Sequence, residues 1–122
     1  MTINLGLVWG ICSGTPDVRE LESGRRVATL AVRVKTGEEP ATSVPVAVWD
    51  PPSWLETLAA GDEVLVLGKV LRRFYRGAAG GAMAKVELQA EAVARTRDRR
   101  RVRALRTKLE RTLERLDEGL GG

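Results

Sequence analysis

Arg26-Val27-Ala28-Thr29-Leu30-Ala31-Val32-Arg33-Val34-Lys35 is the stretch that decides the fold class. Ala28, Leu30, Val32 and Val34 alternate with Val27, Thr29, Ala31, Arg33 and Lys35. That is the period-two pattern of a strand with one apolar face, and its other face turns basic toward the end.

The signal repeats on both sides. Ile3 to Ile11 reads as an earlier strand, in which Gly6 and Gly10 mark a bend or a close backbone approach, as at the corners of a small barrel. Thr15-Pro16-Asp17 breaks it, and Thr36 to Thr42 is a polar loop. Ser43 to Trp49 is a third strand, with Val44, Val46 and Val48 on its inner face. Asp50-Pro51-Pro52-Ser53 stops it. Ser53 and Glu56 have the spacing of a capping box, and Gly61 is predicted to end the helix after about two turns. Glu63 to Leu71 is a fourth strand. Arg72 to Ala82 is a basic-aromatic stretch running into a Gly/Ala loop, and Met83 to Ala94 is a fifth strand. Five strands with a short helix between the third and fourth is the order of an OB-fold barrel. The expected fold is therefore mainly β: a five-stranded OB-fold barrel over residues 1–95, followed by a basic amphipathic helix over residues 96–122.

Composition narrows the chemistry. The chain has 122 residues, one Cys and no His. A single Cys12 makes an internal disulfide impossible. The absence of His removes the usual general base and the commonest metal ligand. No apolar run approaches the roughly 18 residues of a membrane span, and Met1-Thr2-Ile3-Asn4-Leu5 lacks the charged start of a signal peptide. There is no phosphate-binding Gly-rich motif followed by Lys and no carboxylate cluster at metal spacing. The expectation is a cytoplasmic, non-enzymatic domain with no cofactor and no membrane contact. Net charge is +4, but eight basic residues against one acidic residue fall between Arg95 and Lys108, a local net of +7. Such a patch draws polyanions by counterion release, although a solvated helix face explains it as well.

Several stretches together carry a resemblance. Ile3 to Gly10, Thr15-Pro16-Asp17-Val18-Arg19, Ser23-Gly24 with Val27-Ala28, Val46 to Trp49, Ala60 to Val70 and Val86-Glu87-Leu88 follow one another in the order and spacing of the bacterial single-stranded DNA-binding protein family. The chain resembles that family from residue 3 to about residue 95. The resemblance implies an OB-fold used as a homo-oligomer, usually a tetramer with a dimer as the alternative. It also implies single-strand coating without sequence choice in replication, recombination or repair, close to the nucleoid. It places two of the family's stacking positions at Trp49 and Tyr75. Ser43 and Glu38 stand at or near two others where the family has tryptophan, which implies a weaker grip.

The residues give their own reading of the site. Bases present π-faces whatever their identity, so aromatic platforms in a basic groove bind single strands without sequence choice. Trp49 lies opposite in parity to Val44, Val46 and Val48, hence outward, and Tyr75 stands between Arg73 and Arg76. Arg33 and Lys35 share one strand face. Lys69, Arg72, Arg73, Arg76 and Lys85 crowd the fourth strand, its loop and the fifth strand, and phosphate contact is expected of them as a set. Phe74 is read as a barrel cap, Trp54 as core, and Trp9 as core or interface before platform.

The C-terminus departs from the family, which ends in a flexible linker and an acidic tip that recruits enzymes; recruitment by that route is not expected here. Arg97, Arg99, Arg100, Arg101 and Arg103 instead open a helix suited to further phosphate contacts. Val102, Leu105, Leu109, Leu113, Leu116 and Leu120 follow at spacings of three and four, one apolar stripe. It either packs on its own barrel or zips with the same helix of another subunit. Subunit pairing through Leu105, Leu109, Leu113 and Leu116 is the expectation. An OB-fold accessory subunit of primosome or recombination type, binding protein partners, is the competing function.

Overall fold

The computed structural model describes residues 2–121. Six strands form one closed sheet: β1 (Gly6–Cys12), β2 (Asp17–Glu20), β3 (Arg26–Val34), β4 (Thr42–Trp49), β5 (Glu63–Arg76) and β6 (Ala82–Arg95). A 3₁₀ turn, Ser53–Thr57, joins β4 to β5, and one helix, α1 (Arg99–Gly119), follows β6. The order is β1-β5-β6-β4-β3-β2, and β1 meets β3 at Ile11↔Arg33 and Cys12↔Val32, which closes the ring. The architecture is mainly β and OB-fold-like, as the strand alternation predicts.

The inward residues of every long strand fill the ring. Val32, Val46, Val64, Val66 and Leu88 are buried at its centre, while Leu55 and Leu58, on and just after the 3₁₀ turn, plug one end. Each such side chain contributes about 1.5–3 kcal/mol by leaving water. The glycine reading holds at Gly10, where a Cβ would run into the Arg33 carbonyl oxygen and come within 2.8 Å of Val32. Only a bare Cα lets β1 cross so close to β3.

Four local expectations change. Asp17, read as the end of a break, and Val18 to Glu20 after it form β2 and pair with β3 from Asp17↔Thr29 to Glu20↔Arg26. The capping-box helix is a single 3₁₀ turn: Pro52 stands at its N-cap with no side-chain cap bond, and Leu58 ends it. Pro52 has no hydroxyl or carboxylate to hold the first amides, so no longer helix starts there. Gly61 serves the next turn, at φ 94°. Arg72–Arg76 is not part of the loop but the outer end of β5; it pairs with Ala82–Val86, the outer end of β6, through Arg76↔Ala82 as a two-stranded ribbon.

The fourth change concerns α1. Asp98 caps it, its carboxylate accepting from the Arg101 amide at 3.2 Å, an arrangement that contributes about 0.5–2 kcal/mol. Leu105 is 4% exposed and packs with Val102 and Leu109 on Leu67, Ala94, Leu65 and Ala92. The helix thus covers the outside of its own sheet, and Leu105 is not free to pair subunits. The cause is in β5: Val64-Leu65-Val66-Leu67 is apolar on both faces, so the closed ring still has an uncovered apolar side. Leu113, Leu116 and Leu120 remain exposed beyond the contact. α1 is not apolar enough to cross a membrane.

Candidate nucleic-acid interface

The outer face of β3 and β4 carries the first group. Its rungs are Val27↔Trp49, Thr29↔Ala47, Ala31↔Pro45 and Arg33↔Ser43. Trp49 is half-buried and outward, as its parity predicts, while Val46 and Val48 are buried. The Arg25 guanidinium lies 4.7 Å from the Trp49 ring centroid, and its Nη2 donates to Asp50 Oδ2 at 2.9 Å. That hydrogen bond is the main reason the Asp50 carboxyl titrates below its ordinary range. Asp50 has φ 48°, a left-handed conformation that short polar side chains tolerate best. It turns the chain out of β4 at the rim of the face.

A cleft of about 420 Å³ opens over this face, lined by Ser13, Thr15, Thr29, Ala31, Pro45 and Lys85 among others. Lys85 comes from the ribbon, where it sits directly across from Arg73, and Tyr75 sits across from Met83 on the same ribbon side. The alternation of β5 therefore divides the predicted basic-aromatic set. Arg73, Tyr75 and Lys85 share one face. Arg72, Phe74 and Arg76 share the other, with the Arg72 guanidinium 5.4 Å from the Phe74 ring. Arg73 is partly engaged, its Nη1 donating to the buried Glu87 carboxylate at 3.4 Å.

Arg33 and Lys35 lie round the side of the ring, in a depression of about 530 Å³ that also involves Trp9 and Ile11. Lys69 does not join either group. It reaches Glu91 at 3.8 Å and lines a pocket with Thr112 and Arg115 under the C-terminal half of α1. Register alone could not show this, because pairing runs unbroken from Gly68↔Ala90 to Arg76↔Ala82 and gives Lys69 the parity of Arg73.

Three aromatic readings change. Phe74, 69% exposed, stands on the ribbon and caps nothing. Trp9 is 64% exposed on β1 beside Leu7 and Ile11, so it is not core. Its alternation with Val8 and Gly10 was visible, but that the chain itself leaves that outer face uncovered was not. Trp54 only borders the core; Arg101 and Arg95 lie 4.5 and 5.5 Å from its ring. Cys12 is buried, and burial followed by the nearby Asp62 charge pushes its thiol pKa up, away from reactivity. Among the described residues no three His, Cys, Asp or Glu side chains gather as metal ligands.

No family model and no curated protein matches the sequence. Among solved structures, the chain is similar to an engineered deletion variant of the single-stranded DNA-binding protein from Thermus aquaticus, with a TM-score of 0.63 and 24% identity. The likeness is one of fold. It covers 76% of this chain but 40% of that one, so this chain corresponds to less than half of that protein's length.

Proposed function

We propose that this chain binds single-stranded DNA with little sequence choice and performs no catalysis. The observation that carries the reading is the position of Lys85, which lines the cleft over β3 and β4 and shares its ribbon face with Arg73 and Tyr75. One strand can then lie across Thr29, Ala31 and Pro45 and continue onto the ribbon. Trp49 and Tyr75 stack bases, while Lys85 and Arg73 meet phosphates. Arg72 and Arg76 serve a strand that wraps to the far ribbon face, and Arg33 and Lys35 serve one that continues round the ring. The fold likeness to a single-stranded DNA-binding protein supports the same reading. A role in replication, recombination or repair, at the nucleoid in the cytoplasm, follows from that activity.

The same reading includes a homo-oligomer, a tetramer before a dimer. β1 pairs with β5 along one edge, but its other edge meets β3 only at Ile11 and Cys12. Gly6 to Gly10 thus offer an unpaired edge, and Leu7, Trp9 and Ile11 an exposed apolar ridge beside it. A second copy of β1 satisfies both by antiparallel pairing. The exposed end of the α1 stripe, Leu113 and Leu116, adds to that contact rather than forming it.

The test is fluorescence anisotropy with labelled oligo-dT, a mixed-sequence single strand and a duplex. The reading expects the two single strands to bind alike and the duplex much more weakly. A duplex bound as tightly as oligo-dT at ~150 mM salt would overturn it.

A further inference from the structure

β4 and β6 run parallel only through Val46↔Leu88 and Ala47↔Gln89, then diverge. A groove of about 340 Å³ fills the gap, with the 3₁₀ turn at one side and α1 laid along the other. Its walls include Trp49, Trp54, Ala92, Ala104 and Leu105, so most of its lining is apolar. Its helix side carries Arg101 and Lys108. The two acids on the opposite wall are already engaged, Asp50 by Arg25 and Glu91 by Lys69. Beside Arg101, the arginines at 97, 99, 100 and 103 have no ion-pair partner among the described residues. Trp54 also leaves its indole Nε1 buried without a hydrogen-bond partner.

We propose that this groove docks an acidic peptide segment of a protein partner that carries a bulky apolar side chain. The apolar side chain fills the space between Trp54, Ala92 and Ala104. Carboxylates flanking it meet Lys108 and the unpaired arginines beside Arg101, which itself pairs with Asp98 at 3.1 Å. A nucleobase fits less well. Trp54 already has guanidiniums at 4.5 and 5.5 Å from its ring. Its indole therefore lacks the open platform that base stacking needs. Trp49 borders both the groove and the proposed DNA path, but α1 and the rest of the gap lie outside the cleft and ribbon.

The experiment is a titration of the full chain with a fluorescein-labelled peptide, Glu-Asp-Glu-Leu-Phe-Glu. Two controls accompany it, one with Leu-Phe replaced by Ser-Ser and one with the acids replaced by their amides. Saturable binding of the parent peptide, lost in both controls, is expected. Ala104→Leu plugs the groove at an exposed helix position without changing charge, and should weaken the peptide at least about tenfold. It should leave oligo-dT within about twofold. Lys108→Gln should weaken the peptide without altering the fold, with circular dichroism melting as the control for both variants. Three results overturn the proposal. One is no saturable binding. Another is equal binding of the Ser-Ser control, which would reduce the contact to charge on the helix. The last is an Ala104→Leu effect on oligo-dT but not on the peptide, which would make the groove part of the nucleic-acid path.

Discussion

Arg25 lies over Trp49, 4.7 Å from its ring centroid, and is held there by a 2.9 Å hydrogen bond to the next residue, Asp50. The proposed stacking platform therefore has one face already cushioned by a cation. A base on the open face completes a sandwich, and a phosphate alongside meets the same guanidinium. Trp49→Ala should weaken oligo-dT by about 1–3 kcal/mol and leave the fold intact. Loss of folding with unchanged affinity per folded molecule would make Trp49 a structural residue. Equilibrium titration beside a denaturant melt distinguishes the two.

The Arg25–Asp50 contact also sets a pH dependence. The folded Asp50 pKa is lowered, so the carboxylate stabilises the fold above its unfolded pKa, and that contribution is lost as pH falls through the folded value. Asp50→Asn keeps a residue that tolerates φ 48° but removes the charge. The stability difference between wild type and Asp50→Asn should be present at neutral pH and shrink in acid. Urea melts across that range measure it. A difference that grows in acid would contradict the contact.

The ribbon makes a sharper prediction, because its two faces separate aromatic from aromatic. Tyr75→Ala should lower oligo-dT affinity by about 1–3 kcal/mol. Phe74→Ala, on the opposite face, should lower it less on a short oligonucleotide and approach the same loss only on one long enough to wrap. Equal losses on the short oligonucleotide would mean that the strand grips the ribbon edge rather than one face.

The leucine stripe of α1 divides at Leu109. Leu105→Ala should destabilise the chain by about 2–5 kcal/mol, as a large-to-small change in a packed site. Leu116→Ala should stay within about 0.5 kcal/mol. Trp9→Glu, on the open β1 edge, should instead reduce the oligomer seen by light scattering while sparing the melting profile of the fold. An oligomer untouched by Trp9→Glu but split by Leu113→Lys with Leu116→Lys would return subunit pairing to the helix.

Strand alternation made the closed sheet legible, since Val32 and Val46 each signal one buried face and the apolar run Val64 to Leu67 signals two. β2 was not legible, because Asp17-Val18-Arg19-Glu20 has one apolar residue and a turn signal just before it. The ribbon escaped for a related reason. Arg72 to Arg76 buries neither face, so its pairing rests on backbone bonds that leave no hydrophobic period. The amphipathic stripe of α1 could be read from spacing, but spacing does not say what covers it; Leu65 and Leu67 on the sheet decide that. For the site, the outward parity of Trp49 was readable. The separation of Lys69 from Lys85 was not, because Lys69 has the same parity as Arg73, which pairs directly with Lys85.

The central claim is that an aromatic, basic path binds single strands by stacking and charge together. Intrinsic tryptophan fluorescence during titration with oligo-dT, repeated over a series of salt concentrations, tests it directly. The account expects saturable quenching through Trp49. It also expects log K to fall with log salt at a slope of at most about −5, since seven candidate cations, Arg25 among them, each release about 0.7 of a counterion. Absence of quenching, or binding indifferent to salt, would contradict it.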